Sequence, residues 1–430
     1  MPHARAAAGL KFFFQAVTPE QARAVLTEFA PVGTARVRVA EAAGRVLAED
    51  LVSPDDLPHF DRANMDGYAV RAADTFGASQ SVPAYLRVVG TVAMGALARR
   101  PLGKGEAVRI STGGMLPPEA DAVVMIEHTE EVERGISRER ERGISMVEVH
   151  RSVSPGQHVV RVGDDVRRGD PIFARGRRLR AHDLGAMTGV GITRVRVYRR
   201  PRIALVATGD EIVPPERRPR PGQVRNVNQY SLRAMISEAG GVPHDLGLVP
   251  DRPERLRAAL ARALTAADCV MISGGSSVGV KDMTLDVIAS FPDSATLFHG
   301  IQIAPGKPTI LARARGKPVL GLPGHPVSAL VIFSRFGGPL VRLLGGEPPA
   351  AAFAEARVTR ATLAENVASE VGREDWTRVT LEEREGALLA RPLRGKSAQI
   401  MSLVRADGMV RVPLTDEGLE AGAAVEVVLF

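Results

Sequence analysis

Four apolar runs in the second half of the chain, separated by helical segments and turns, constrain the fold more than any other feature. The first, RIALVAT at 202–208, is apolar without alternation, which is typical of a strand covered on both faces. The others lie at 268–273, 309–312 and 318–322, and helices are predicted at 229–239, 253–264 and 327–344. Strands that alternate with helices of this length predict a doubly wound, mostly parallel sheet, the α/β fold class.

Short alternating strands on both sides of this region predict β structure there. Between Tyr68 and Val149, apolar and polar residues alternate in stretches separated by turn signals, at 85–89, 107–110, 122–126 and 146–149, which indicates an all-β module. The segment ERGIS occurs at 133–137 and again at 141–145, and we interpret it as a hairpin tip. After a Gly- and Pro-containing linker at 345–349, short strands return and predict a small C-terminal β-barrel.

The N-terminal region is expected to be discontinuous. Thr18-Pro19-Glu20-Gln21 has the capping-box pattern that starts a helix, and a second short helix is predicted at 39–47. Residues 151–200 contain one helical stretch, 181–190, and no obvious core, so we expect them to pack against the N-terminal helices. The predicted division is a linker domain at 18–52 and 163–200, an inserted β module at 53–162, the α/β domain at 201–345 and the barrel at 346–430.

Composition narrows the class of protein. Hydrophobic residues make up 45% of the 430 residues and charged residues 24%, ordinary values that exclude wholesale disorder. A single cysteine, Cys269, excludes a disulfide framework and a cysteine-based zinc site. Neither a targeting segment nor a long uninterrupted apolar run is visible. We therefore expect a cytoplasmic protein without a membrane span.

The charge balance points to anionic ligands. Lys and Arg number 56 against 49 Asp and Glu, a formal charge of +7, which fits nucleic acid, an anionic membrane or anionic small substrates. The basic clusters at 175–180 and 217–220 contain no aromatic residues and adjoin Pro and Gly. We interpret them as solvated loops and predict no nucleic-acid partner.

Unusual Gly-containing loops follow three strands of the predicted sheet, at 207–211, 273–279 and 322–328. The carboxyl edge of such a sheet is where its ligands bind. In the loop after 268–273, two glycines allow a close backbone approach and two hydroxyls face a phosphate-sized anion. Lys307 would add a positive charge, and Ser328 at a helix N-terminus offers a second oxyanion seat. Ordinary strand-to-helix turns use the same residue types. The loop residues concerned are Gly274, Gly275, Ser276 and Ser277.

Carboxylates share this predicted edge. Asp210, Glu211 and Asp282 would repel a phosphate unless a cation bridges them, so the sequence predicts Mg²⁺. Asp210 and Asp282 also fit the alternative role of helix N-caps. In the β module, FDRANMDGYA at 60–69 and STGGMLP at 111–117 are unusual, but alone they favour an Asx-turn and a Gly-rich hairpin.

Taken together, these motifs closely resemble the molybdopterin molybdenumtransferases, the bacterial molybdenum insertases of cofactor biosynthesis, which are similar to the E domain of gephyrin. The resemblance runs from about residue 18 to the end of the chain. It is carried by FDRANMDGYAV (60–70), STGGMLPPEADAVV (111–124), VGDDV (162–166), ATGDEI (207–212), NVN (226–228), SGGSSVGVKD (273–282), PGKP (305–308), GLPGHPVSA (321–329) and RGKSAQIMSLVRADG (394–408).

The resemblance implies a homodimer of four-domain subunits with the active site in a cleft between subunits. The implied reaction takes adenylylated molybdopterin and molybdate, releases AMP and leaves molybdenum on the pterin dithiolene. A further implied partner is the molybdopterin adenylyltransferase that supplies the substrate. Asp61 is the first candidate for activating phosphoanhydride cleavage.

The resemblance also assigns roles to the other matching residues. The phosphate of molybdopterin would lie on the loop 274–277, with Asp210 and Asp282 in the phosphate and Mg²⁺ region. The molybdate and dithiolene pocket would be formed by Lys281, Lys307, Pro323, Gly324, Pro326 and Ser328. The cleft would be closed by Asp61, Thr112, Asp121 and Asp164.

Three residues depart from the family pattern. Ala304 stands where many members carry Lys or Gln, His325 replaces the commoner Asn, and Asp164 stands where Glu is usual. These changes concern the metal pocket more than the reaction class. Because imidazole titrates near neutrality, His325 predicts a pH-sensitive pocket.

Two other functions share parts of the pattern. A molybdopterin adenylyltransferase would have the central fold but should be a single small α/β domain, so the β module and the barrel argue against it. A non-catalytic scaffold is the other alternative, since gephyrin also acts at a receptor. The full set of motif acids and lysines favours the enzyme.

Overall fold

The computed structural model describes residues 16–132, 145–274, 278–355 and 357–430, and for 278–282 it describes the backbone only. The capping box predicted at Thr18 is formed, since the Thr18 hydroxyl accepts from the backbone N–H of Gln21 and the Gln21 side chain accepts from the backbone N–H of Thr18. The helices are Pro19–Leu26, Ala181–Gly189, Asn228–Glu238, Pro253–Ala266, Val278–Ala289, Pro326–Ile332, Gly338–Leu344, Pro349–Ala352 and Met401–Val404.

The central sheet is doubly wound. Its strand order is Val242–Val249, Arg202–Thr208, Cys269–Gly274, Lys317–Leu322, Ile310–Ala314 and Ala295–His299. The first four strands pair in parallel, and Ile310–Ala314 pairs antiparallel with both of its neighbours, Lys317–Leu322 and Ala295–His299. The predicted α/β class is therefore confirmed, with an antiparallel hairpin extension at one edge.

Alternate residues of the strand Arg202–Thr208 supply two separate cores. Ile203 and Leu205 pack with the helix Asn228–Glu238 and with 326–344 on one face. Ala204 and Val206 pack with the helix Pro253–Ala266 on the other. Because both faces are buried, the strand needs an unbroken apolar run, and each fully buried Ile or Leu contributes about 1.5–3 kcal/mol.

The helix 326–344 is continuous through a π-helical turn at Phe333–Gly337. Among the described residues it alone is long and apolar enough to cross a membrane, but 83% of its most apolar 18-residue stretch is buried inside the protein. It packs against the central sheet as a core helix.

The β module is a six-stranded sheet that packs apolar residues on both faces. Its order is Ala122–Met125, Gly67–Val70, Glu106–Ile110, Ala84–Val92, Ser145–Val149 and Thr129–Val132. Apart from Ser145, the predicted ERGIS hairpin tip lies outside the described residues.

Two distant segments form the linker region between the β module and the central sheet. Thr34–Arg38 pairs with Arg194–Tyr198, and Leu51–Val52 pairs with Pro171–Phe173, around a core that includes Leu47 and Met187. The helix predicted at 39–47 is wrong. Only a short turn, Val39–Glu41, is helical, because Gly44 has φ +70° and the backbone N–H groups of Gly44 and Leu47 bond instead to carbonyls of 177–179.

The C-terminal region is a closed five-stranded barrel, as predicted. Its strands are Val358–Leu363, Glu374–Arg384, Ala387–Pro392, Gly408–Val412 and Ala424–Leu429. The pairing of Glu374–Arg384 with Gly408–Val412 closes the barrel. A short strand, Ile303–Ala304, pairs in parallel with Glu374–Asp375 and attaches the barrel to the central domain.

Candidate anion-binding site

The carboxyl ends of the parallel strands meet at one edge. Thr208 pairs with Val249 on one side and with Gly274 on the other, and Ser273 pairs with Leu322. The loops that follow these strands therefore start side by side. This is the position where ligands of open α/β sheets bind.

Gly274 is required by the neighbouring strand. Its φ is +137°, and a Cβ atom on it would lie 1.9 Å from the carbonyl oxygen of Thr208. The sequence predicted that Gly274 lets the backbone approach a ligand. In the structure it lets the strand Cys269–Gly274 approach the strand Arg202–Thr208. Of the remaining predicted loop residues, Gly275, Ser276 and Ser277 lie outside the described residues, as do the side chains of Lys281 and Asp282.

Asp210 lies beside a second carboxylate that sequence reasoning missed. Asp251 follows the strand Val242–Val249, and its backbone N–H donates to Asp210 Oδ1 at 3.2 Å. The buried Thr208 hydroxyl donates to Asp251 Oδ1. Asp251 comes just after the edge strand Val242–Val249, and we did not predict that strand. Predicting the strand would have indicated that Asp251 lies at the carboxyl edge of the sheet.

Asn228 is the second residue that sequence reasoning missed. Its Nδ2 donates to Ser273 Oγ at 2.9 Å and to the Gly324 carbonyl at 2.9 Å. Asn228 is 7% exposed and begins the helix Asn228–Glu238. The NVN motif contained it, but nothing in the sequence indicates which loops it joins.

The loop Pro323–Ser328 lies between the central domain and the barrel. His325 is the N-cap of the helix Pro326–Ile332, and its Nδ1 is 2.8 Å from Ser397 Oγ of the barrel. The backbone N–H of Val327 donates to the Ser397 carbonyl at 3.0 Å. Pro323 and Ser328 are buried, Gly324 and Pro326 are half-buried, and His325 is exposed.

The loop that carries Lys307 packs against the same helix. Gly306 has φ +131°, and a Cβ atom there would lie 2.4 Å from the Ile332 side chain. Lys307 itself is exposed. A cavity of about 530 Å³ lies between this loop and the barrel, with a lining that includes Ala304, Pro305, Trp376, Arg378 and Arg394.

Arg378 fixes the barrel side of this cavity. Its guanidinium donates to the Gly395 carbonyl at 2.7 Å and to the Ser402 hydroxyl. Burial lowers the pKa of Arg378 from its ordinary value, although guanidinium stays protonated in proteins. The cavity lining thus carries the guanidinium groups of Arg378 and Arg394 and the carboxylates of Glu365 and Asp375.

Three of the four predicted cleft residues lie at one end of the β module, Asp61 and Thr112 within it and Asp164 just after it in the chain. Asp61 accepts from the Val162 N–H at 2.8 Å and from Arg161 Nη1 at 3.2 Å, and Asp164 accepts from the Arg161 N–H at 2.7 Å. The neighbouring loops 60–66 and 111–116 are joined by backbone hydrogen bonds. Arg161 thus joins Asp61 and Asp164.

Thr112 belongs to the same end, and Asp121 has other contacts. The Thr112 N–H and hydroxyl both donate to Asp66 Oδ1, at 2.6 and 3.0 Å, and lower the pKa of Asp66. Asp121 Oδ1 accepts from the Ala72 N–H at 2.6 Å, a contact that stabilises the turn after Gly67–Val70. Within the described residues, no hydrogen bond or ion pair joins this end to the strand-end loops.

The fold is that of an α/β protein with a β module near the N-terminus and a C-terminal barrel. Residues 17–191 match the family model described as "MoeA N-terminal region (domain I and II)". Residues 204–343 match the "Probable molybdopterin binding domain", and 360–430 match the "MoeA C-terminal region (domain IV)".

Whole-length relatives identify the family. The molybdopterin molybdenumtransferase of Bacillus subtilis is 33% identical over 388 residues, 90% of this chain and 87% of the relative. Two solved structures of molybdopterin biosynthesis MoeA proteins from Pyrococcus horikoshii are also similar. One has 39% identity and a TM-score of 0.78 over 96% of this chain and 99% of its own. The other has 28% identity and a TM-score of 0.80 over 97% and 100%.

The chain belongs to the molybdopterin molybdenumtransferase family, a family of transferases in molybdenum cofactor biosynthesis. The resemblance drawn from the sequence motifs is thereby confirmed. The matches at 17–191, 204–343 and 360–430 together account for all the motif-bearing regions of the chain.

Proposed function

We propose that this protein inserts molybdate into the dithiolene of adenylylated molybdopterin, releases AMP and depends on Mg²⁺. The observation that carries the proposal is the convergence of three strand-end loops at one sheet edge in a member of this family. The net charge of +7 favours such anionic substrates.

Two loops would receive the two anions. The phosphate loop, 274–277, would bind the molybdopterin phosphate through backbone N–H groups and hydroxyls. The insertion loop, 323–328, would bring molybdate and dithiolene together beside Lys307 and the cavity at the barrel. Lys281, which adjoins the phosphate loop, would assist there.

The carboxylates fit Mg²⁺. Asp210 and Asp251 end adjacent strands and provide hard oxygen ligands, with Asp282 as a proposed third. Mg²⁺ typically retains several waters and uses only one or two protein carboxylates, a number that Asp210 and Asp251 alone would supply. When bound, the ion would supply positive charge next to the phosphoanhydride.

The β module would complete the site from a second subunit. Asp61, Asp164 and Thr112 form one cluster with no described contact to the strand-end loops of the same chain. A homodimer in which the partner's β module covers this edge would unite the two. Asp61 remains our candidate for activating phosphoanhydride cleavage, and Arg161 holds its carboxylate in place.

Upstream chemistry defines the remaining partner and the compartment. The proposed substrate is an adenylyl derivative, so an adenylyltransferase must make it. That adenylyltransferase would pass the substrate to this protein. We place the protein in the cytoplasm. Its one cysteine is buried in the strand Cys269–Gly274 and is not in a disulfide. A free thiol is compatible with a reducing compartment.

The test is AMP release from adenylylated molybdopterin with Mg²⁺, with and without molybdate. Wild type should release AMP in a molybdate-dependent manner, and Asp61→Asn should lower the rate by about 10²-fold or more, within the range typical of a proton-transfer group. Asp50→Asn is a matched control, because Asp50 also accepts a backbone N–H, from Arg175 at 2.7 Å, away from the site. Tight substrate binding without AMP release in wild type would instead establish a carrier or scaffold.

A further inference from the structure

One buried amide joins the two loops on which the proposed function depends. The Nδ2 atom of Asn228 lies 2.9 Å from Ser273 Oγ and 2.9 Å from the Gly324 carbonyl oxygen. Ser273 leads directly into the phosphate loop, and Gly324 lies within the insertion loop. We propose that Asn228 is a positioning residue that fixes the separation of the two loops, and hence of the two anionic substrates; this inference rests on the proposed function.

The Gly324 carbonyl determines the orientation of the amide. A carbonyl oxygen only accepts hydrogen bonds, so the nitrogen of Asn228 must face it. The second hydrogen of the same nitrogen is then donated to Ser273. Both amide hydrogens are in use, one for each loop, and a side chain without an NH₂ group would lose both contacts.

The amide oxygen of Asn228 makes no hydrogen bond that would stabilise the described part of the fold. Asn228 Oδ1 is buried and accepts no hydrogen bond from the described part of the chain. A buried acceptor without a donor destabilises the folded state. The unpaired oxygen therefore offsets part of the stability that the two donated hydrogen bonds contribute, which favours a role in loop placement.

Asn226 supplies a matched control on the same helix start. It is 5% exposed, its Oδ1 accepts from the Gln229 N–H at 3.3 Å and its Nδ2 donates to Gln229 Oε1 at 2.6 Å. Its described side-chain contacts are with Gln229 and include neither loop. Replacing Asn226 thus perturbs the helix start without releasing Ser273 or Gly324.

The experiment compares Asn228→Ala with Asn226→Ala in the full-length protein. Circular dichroism first establishes that each variant folds. Initial rates of AMP release are then measured at varied concentrations of molybdate and of adenylylated molybdopterin. We expect Asn228→Ala to lower kcat about 10- to 100-fold, because misplaced reactants lose rates of this order. Asn226→Ala should stay within about twofold of wild type, since only indirect effects remain. If Asn228→Ala does not fold, Asn228→Asp keeps the shape and also removes the amide hydrogens.

A double-mutant cycle separates positioning from general damage. If Asn228 acts by holding Ser273, Ser273→Ala in the Asn228→Ala background should cost little beyond Asn228→Ala alone. Equal losses of kcat in the Asn228 and Asn226 variants, or fully multiplicative losses in the cycle, would overturn the inference. A wild-type protein that releases no AMP would refute the proposed function instead, so the two failures are distinguishable.

Discussion

Gly274 satisfies two requirements that no other residue type meets together. Its φ is +137°, and an added Cβ atom would lie 1.9 Å from the Thr208 carbonyl oxygen, whereas real Cβ contacts essentially never fall below 3.0 Å. A methyl group would therefore have to displace the adjacent strand end by about 1 Å. We predict that Gly274→Ala separates the strands where the site lies and destabilises the central domain.

The magnitude follows from a comparison with Gly247. Gly247 has φ +79° and an added Cβ atom there meets nothing within 4 Å, so Gly247→Ala should cost only the backbone penalty, about 1–2 kcal/mol. Gly274→Ala adds the cost of forcing a methyl group into filled space, about 1–3 kcal/mol. We expect a total of about 2–5 kcal/mol for Gly274→Ala.

Calorimetry is the appropriate assay, because the only tryptophan, Trp376, lies on a barrel strand and packs against the helix 326–344. Its fluorescence would therefore mix signals from the barrel and the central domain. For a domain of this size, 1 kcal/mol shifts Tm by about 2–4 °C. Gly247→Ala should lower the Tm of the central domain by about 2–8 °C and Gly274→Ala by about 4–20 °C. Equal Tm shifts for the two variants would show that the strand end moves to accommodate the methyl group at no cost in stability. That result would refute the prediction based on the Gly274–Thr208 contact.

Three further predictions concern individual side chains. The Thr112 donors hold the pKa of Asp66 below its usual range, so Thr112→Val should raise it; an unchanged pKa in an NMR titration would contradict the hydroxyl contact. Arg177 holds the pKa of buried Asp183 at about 2, so this pair stabilises the fold above about pH 4 and is lost as pH falls toward 2. The Tm of wild type should therefore fall more steeply over that range than the Tm of Arg177→Met, and parallel curves would refute the assignment. Burial raises the pKa of the Cys269 thiol, so a thiol reagent at about pH 8 should modify it only after denaturation, and labelling of native protein would contradict its burial.

The central sheet could be predicted because its signal is local. An unbroken apolar run such as 202–208 requires cover on both faces, whatever the rest of the chain does. The edge strand Val242–Val249 was missed because it is half-buried along most of its length and contains Pro, His, Asp and Gly. Asp251 was missed with it, since its importance depends on where that strand ends.

The wrong helix at 39–47 and the unassigned role of Asn228 have a common cause. In both, the backbone or side chain is committed to a partner far away in sequence. Leu47 donates its N–H to the Arg177 carbonyl, and Asn228 joins loops 45 and 96 residues away. Local propensity carries no information about such partners.

Under the proposed function, the contacts of the barrel would supply what a central domain alone lacks. The insertion loop makes two hydrogen bonds with Ser397: His325 Nδ1 bonds to its hydroxyl, and the Val327 N–H donates to its carbonyl. The cavity beside it takes most of its lining, including the Arg378 charge, from the barrel. A single α/β domain of the adenylyltransferase type would retain the phosphate loop but would lack the proposed second anion-binding site between the insertion loop and the barrel. On this proposal the barrel would distinguish a protein that binds one anion from a protein that brings two together, and its presence favours the insertase over the adenylyltransferase.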